Sequence, residues 1–284
     1  MKRNRSRIRR KFSGAFTQTF SLVKLIPNLI TISALVIGLT SIRFAMEQRW
    51  EASMSCIIIS ALLDGIDGRI ARMLNASSKF GAELDSLCDF VNFGICPSII
   101  MYLWTFHDAK YRVFSWFIVI TFSVCMCIRL ARFNTMLSEP KFIELMKKFF
   151  LGIPAPVGGI LVLLPIILDI DLFENINYSL RHQNIYIIPY MLFISFLVAS
   201  RIPTFGLKDF KIKHEYLLPA MLFMSISIAA LFLYTWVFVP VFSALYLLTI
   251  PFSAFIGYKK YFASKKEDLI QENNEDSKQE IKPD

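Results

Sequence analysis

Residues 64–89 read “DGIDGRIARMLNASSKFGAELDSLCD” and hold four aspartates. They follow “MSCIIISALL” (54–63) and run into “FVNFGICPSIIMYLW” (90–104). Both flanks have the composition of lipid-facing helix, so the carboxylates stand where charge is costly. Asp64 and Asp67 are three apart and Asp85 and Asp89 four apart, spacings that put each pair on one face of a helix. Gly68 and Ala71 share the first face, Arg72 lies near its edge, and Gly81 precedes Asp85 by one turn. Between the pairs lies “NASSK” (75–79), a polar turn. The stretch therefore reads as an antiparallel helical hairpin whose acidic stripes can face each other at a membrane boundary.

The rest of the chain supports a membrane setting. Of its 284 residues, 55% are hydrophobic, more than an ordinary soluble domain carries. Long uncharged runs cover 25–42, 90–107, 113–128, 149–168, 183–200 and 216–258, where a span needs roughly 20 apolar residues. The last run is long enough for two spans, turning near “YTWVFVP”. With the segment at 50–63 this gives about eight transmembrane helices and an all-α integral membrane fold. Residues 1–23 form a basic arm, 24–258 the membrane domain and 259–284 a charged tail of disordered composition. Residues 138–150 read as an amphipathic connector at the surface.

The net charge of +9 could suggest nucleic acid, but its distribution argues for topology. Of the 31 Lys and Arg, 26 fall in the N-terminus through Lys24, in 69–79, in 129–148, in 201–213 and in the tail from Lys259. The alternate loops hold the other five, Arg43, Arg49, Lys110, Arg112 and Arg181. Eight spans place all five basic segments on one side, the cytoplasmic one, with both termini. Membrane lipids are the expected partner surface, and nucleic acid is not. The five cysteines (56, 88, 96, 125 and 127) lie in or beside apolar runs without a zinc spacing, as reduced packing residues do. The three histidines (107, 182 and 214) fall in loops and form no ligand set.

Four clustered carboxylates repel one another and resist burial unless something neutralises them. Divalent cations do this, oxygen ligands suit Mg²⁺ or Mn²⁺, and two such ions can clamp a phosphate undergoing displacement. Gly68, Ala71 and Gly81 would let a bulky phosphate ligand approach the backbone. Surface ion pairs with Arg69, Arg72 and Lys79 are the bland alternative, which leaves the paired stripes and their glycines unexplained. A cation-coupled transporter is the competing class. It would spread its acids at the midplane of paired, broken helices, and no internal repeat is visible.

The spacing Asp64-x-x-Asp67-Gly68-x-x-Ala71-Arg72, eight residues, then Gly81-x-x-x-Asp85-x-x-x-Asp89 resembles the signature of the CDP-alcohol phosphatidyltransferase family at every fixed position. “IPNLIT” (26–31) adds a second match in the first helix. The resemblance spans roughly 24–170 and implies a six-helix core, with the last two spans as an addition. “CIRLARFN” (127–134) and “FLGIPAPVGG” (150–159) resemble the serine-using branch of that family. The reaction so implied joins CDP-diacylglycerol and L-serine to give phosphatidylserine and CMP. Glycerol 3-phosphate, inositol or choline as acceptor stays open.

What the resemblance implies residue by residue agrees with the carboxylate reading. Asp64, Asp67 and Asp85 would bind metal, and Asp89 would bind a second ion and act as general base. Gly68, Arg72 and Ser78 would hold the CDP portion. Pro27, Asn28, Leu29 and Ile30, chiefly Asn28, would close the nucleotide site from the first helix. Arg129 and Arg132 are either topology anchors or holders of a serine carboxylate or lipid phosphate, with Asn134 assisting. Pro154, Pro156, Gly158 and Gly159 are expected to shape the start of the fifth helix. The protein is expected in a bacterial inner membrane with its site facing the cytoplasm; a homodimer stays open.

Overall fold

A computed structural model describes residues 25–106, 112–136, 149–170, 180–200, 202–205 and 217–253. The basic arm, the charged tail, the connector up to residue 148, His107 and His214 lie outside the described residues. Among those described, eight helices follow one another. They are α1 (Ile26–Met46), α2 (Trp50–Met73), α3 (Lys79–Phe106), α4 (Arg112–Met136), α5 (Ala155–Leu168), α6 (Asn184–Ala199), α7 (Leu217–Leu233) and α8 (Thr235–Ser253). Segments within α1, α3, α4 and α8 are long and apolar enough to cross a membrane, and α5, α6 and α7 are shorter apolar helices. The long 216–258 run breaks at Tyr234, as its “YTWVFVP” turn suggests.

One expectation changes at the run 149–168. Its first residues are not helical: Phe149–Leu151 forms strand β1, paired antiparallel with Pro203–Phe205 (β2). Gly152, at φ 79°, turns the chain in a region that side chains disfavour, and its N–H donates to Ile202 O at 2.9 Å. Pro154 is then the N-cap of α5. Hydropathy could not separate this short ribbon from the helix, because both are uncharged.

Helix α1 buries a narrow stripe, Pro27, Thr31, Ala34, Gly38, Ser41 and Ala45, at the three- and four-residue spacing of one helix face. The residues are small, so α2 packs closely along it. Ser53 in α2 donates to Ser41 O at 2.8 Å across this seam. The opposite face of α1 presents Leu29, Ile32, Val36 and Leu39 outward. Similar rows on α4 and α7, including Phe114, Phe117, Phe223 and Met224, are also exposed. Apolar surface on this scale belongs in lipid.

Helix α3 contains two π turns, Val91–Ile95 and Tyr102–Phe106. Each inserts an extra residue into the helical register. The first begins just after Asp89 and turns Asn92, Phe93 and Gly94 into the interior. Gly94 O there accepts from Ser98 Oγ at 2.8 Å and from Ser123 Oγ of α4 at 3.2 Å. Helix α5 docks on this stretch and on α2. Gly158 and Gly159 are its contact points, beyond the expected role at the helix start. A Cβ at Gly159 would lie 3.0 Å from Phe93 Cα and 3.2 Å from Phe93 O.

Backbone cannot yield as a side-chain tip can, so Gly159→Ala should destabilise the protein by roughly 1–3 kcal/mol. Gly65→Ala, where a Cβ meets nothing within 4 Å, should cost nothing. Thermal unfolding of the two variants in detergent checks the contrast.

Candidate active site

The α2–α3 hairpin is built by its turn. Leu74 N–H donates to Ile70 O and Ala76 N–H to Ala71 O, each at 2.9 Å, around Asn75 at φ 49°. Asparagine tolerates this left-handed conformation better than most residues. Ser78 is then the N-cap of α3, its Oγ accepting from Gly81 N–H at 2.9 Å. Ser78 thus has a structural duty as well as a place beside the ligand space. Gly81 lets α1 approach: a Cβ there would lie 3.0 Å from Asn28 Oδ1. At Gly68 a Cβ would meet no protein atom within 4 Å, so the space beside it belongs to the cleft.

That cleft, of about 320 Å³, is lined by Pro27, Asn28 and Thr31 of α1, Asp67, Gly68, Ala71 and Arg72 of α2, the turn, and Gly81, Ala82 and Asp85 of α3. The expected CDP contacts Pro27, Asn28, Gly68, Arg72 and Ser78 are therefore gathered around one opening. Leu29 and Ile30 are not. Successive residues of a helix turn by about 100°, and Leu29 faces outward with 61% of its surface exposed. The neighbour that motif reading missed is Thr31, which follows Asn28 by three and so returns to the cleft face.

Three carboxylates converge. Asp64, Asp67 and Asp85 each offer an oxygen, and these oxygens lie within 4.8 Å of one another. Asp67 is buried, and Thr31 Oγ1 donates to its Oδ2 at 2.5 Å. Asp89 follows Asp85 by one helical turn, outside this trio, and lies within electrostatic reach of Asp64 and Asp85. Its Oδ1 is buried without a hydrogen-bond partner. The surface ion pairs weighed against a metal site do not form: among the described residues the salt bridges are Arg43–Glu47 and Arg49–Glu47. Arg72 instead donates Nε to Gly68 O at 3.0 Å. Clustered carboxylates without a salt bridge among the described residues, one with an orphaned buried oxygen, are a donor set suited to divalent cations.

The three residues of α4 divide their work. Arg132 donates from its two Nη atoms to Ala199 O and Ser200 O, at 2.9 and 3.1 Å, capping the C-terminal end of α6. Asn134 exchanges hydrogen bonds with Ser86 on α3, at 3.0 and 3.2 Å. Arg129 donates Nε to Ile153 O and lies within electrostatic reach of Asp89. Among the described residues its Nη groups have no hydrogen-bond acceptor. No sequence pattern could separate the two arginines, because their partners come from segments 24 to 68 residues away.

Fold and site define a polytopic helical membrane protein with an acidic cleft of phosphate-handling type where α1, α2 and α3 meet. Residues 24–185 match the CDP-alcohol phosphatidyltransferase family, and the chain belongs to it. Among curated proteins it is 33% identical over 231 residues to the CDP-diacylglycerol–serine O-phosphatidyltransferase of Mycobacterium leprae, covering 81% of this chain and 75% of that one. The Helicobacter pylori protein of the same name is 39% identical over 147 residues, 51% of this chain and 58% of that one. Its Methanocaldococcus jannaschii namesake is 30% identical over 205 residues, 66% and 90% of the respective chains.

The Thr31 contact gives a test of the carboxylate set. Groups that orient metal ligands are typically worth about 10–100-fold in metal affinity or activity. Thr31→Val should raise the Mg²⁺ or Mn²⁺ concentration for half-maximal activity at least about tenfold, and Thr31→Ser should restore it. A metal titration of both variants measures this.

Proposed function

We propose that the protein transfers the phosphatidyl group of CDP-diacylglycerol to L-serine, releasing CMP, in phospholipid biosynthesis. The observation that carries this reading is the cleft itself, where Asp67 and Asp85, clustered with Asp64, line the same space as Asn28, Gly68, Arg72 and Ser78. The names of the relatives supply the acceptor. The same chemistry on glycerol 3-phosphate, inositol or choline is the alternative.

In this reading Asn28, Gly68 and Arg72 receive the CDP portion, and Gly68 leaves room for it beside the backbone. Asp64, Asp67, Asp85 and Asp89 would hold two divalent ions, Mg²⁺ or Mn²⁺. Bound there, the ions would neutralise the pyrophosphate and the departing CMP phosphate. Arg129 meets the serine carboxylate with its Nη groups, a fork that suits a carboxylate. The serine hydroxyl oxygen then forms a bond to the lipid-side phosphorus. The bond from that phosphorus to the CMP oxygen breaks with its electron pair, and Asp89 takes the hydroxyl proton. Arg132 acts through the fold, holding the end of α6 beside Arg129.

A purified sample offered CDP-diacylglycerol with each alcohol in turn should form phosphatidylserine, stop on chelation and recover with Mg²⁺ or Mn²⁺. Arg129→Ala should lower serine efficiency roughly ten- to a hundredfold, from charge-assisted bonds worth about 1.5–3 kcal/mol each. Arg132→Ala should reduce the yield of folded protein and leave the kinetics of the remainder unchanged. Consumption of glycerol 3-phosphate in place of serine would refute the acceptor assignment.

The charge distribution supports a site that faces the cytoplasm from an inner membrane. Single cysteines at Ser77 and at Gln48, in the turns at the two ends of α2, should then be labelled from opposite sides in a cysteine-free background. Ser77 should react from the cytoplasmic side. Labelling of both from one side would defeat this orientation.

A further inference from the structure

The two acidic stripes do not end at the aspartates. Ser60 lies one turn before Asp64 on α2, and Asn92 lies one turn after Asp89 on α3. Both are buried, at 0% and 1% exposure. Ser60 Oγ, Asn92 Oδ1 and Asp89 Oδ1 are all buried without a hydrogen-bond partner among the described residues. Such atoms are costly to leave unpaired, and nearly all buried polar groups in folded proteins have a partner.

Helix α1 places Ser60 and Asn92 at one level. It runs antiparallel to α2, with Thr31 donating to Asp67 and Ser41 O accepting from Ser53. Gly38 is seven residues on from Thr31 and Ser60 seven back from Asp67, so both lie roughly 10 Å deeper than the Thr31–Asp67 contact. Gly38 also meets α3 at Asn92. A Cβ on Gly38 would lie 2.1 Å from Asn92 Oδ1, so the glycine is what leaves room for the amide. Where α1, α2 and α3 meet, Ser60 and Asn92 thus form a polar floor, with Asp89 on the step above it. The oxygens Asp89 Oδ1, Asn92 Oδ1 and Ser60 Oγ can all accept, and together they carry one negative charge. That set suits a single positive charge that brings several N–H groups, and an ammonium brings three.

We infer that Asp89 Oδ1, Asn92 Oδ1 and Ser60 Oγ form the subsite for the ammonium group of the acceptor. The inference rests on the proposed serine acceptor, whose ammonium and hydroxyl sit on adjacent carbons. An acceptor that gives its hydroxyl proton to Asp89 therefore presents its ammonium beside the same carboxylate, which has an oxygen for each. Asn92 and Ser60 become specificity-determining residues, separating serine from alcohols that carry no ammonium.

Steady-state kinetics of the full-length protein with two acceptors test it. 3-Hydroxypropionate keeps the hydroxyl and carboxylate of serine and lacks the ammonium. The wild-type enzyme should prefer serine at least about a hundredfold, because the analogue leaves buried acceptors unpaired. Asn92→Leu, close in volume, should cut that preference about tenfold by raising KM for serine, the effect of one hydrogen bond to a charged group. KM for CDP-diacylglycerol should stay at the wild-type value. Ser60→Ala should shift the preference in the same direction, and it decides the matter if Asn92→Leu does not fold. Equal use of the two acids by the wild type would overturn the inference. So would variants that lose efficiency with both acids by one factor, which marks a structural role, or that keep the wild-type preference. A wild-type enzyme that ignores serine refutes the acceptor assignment and the inference with it, whereas serine use with an unchanged preference in the variants refutes the inference alone.

Discussion

Four clustered carboxylates, none of them in a salt bridge among the described residues, are the constraint around which this molecule is arranged. Their repulsion grows as water is excluded, because the effective dielectric falls and desolvation penalises each charge. The fold opposes that repulsion with covalent and packing constraints. The tight turn at Asn75 and the N-cap at Ser78 fix one pair against the other. Thr31 holds Asp67 from a third helix. Arg129 reaches Asp89 alone, so under the proposed function divalent cations would neutralise the other three carboxylates.

The same constraint explains the construction of the surrounding helices. The small residues of α1 bring its first turn close enough for Asn28 and Thr31 to reach the hairpin. The π turn after Asp89 lets one helix serve two purposes. Its first three turns carry acids to the cleft, and the register shift then delivers Phe93 to the interior against Gly159. Arg129 and Arg132 tie this centre to the segments before α5 and after α6. A lipid substrate and a polar acceptor can therefore meet at one cleft.

Much of this was legible in the sequence because it is periodic and local. The uncharged runs gave the helices, and three- and four-residue spacing gave the acidic stripes and their hairpin. What stayed hidden depends on tertiary register. “PNLI” as a word does not say that Leu29 faces outward while Thr31, just outside it, meets Asp67. “RLAR” does not say which arginine spends its fork on backbone carbonyls. The β1–β2 ribbon is absent from any hydropathy reading because strand and helix there share one composition. Helix α8 looks like an appendage until Val239 and Ile250 are seen within the core.

The proposed chemistry depends on cations bound by the hairpin. Electron paramagnetic resonance of the purified protein titrated with Mn²⁺ counts bound ions directly, without reference to turnover. With CDP-diacylglycerol present, two ions should bind per chain, and Asp64→Asn or Asp85→Asn should lower that number or weaken binding at least about tenfold. A wild-type protein that binds no Mn²⁺ under turnover conditions, or aspartate variants that bind it as the wild type does, would contradict the account.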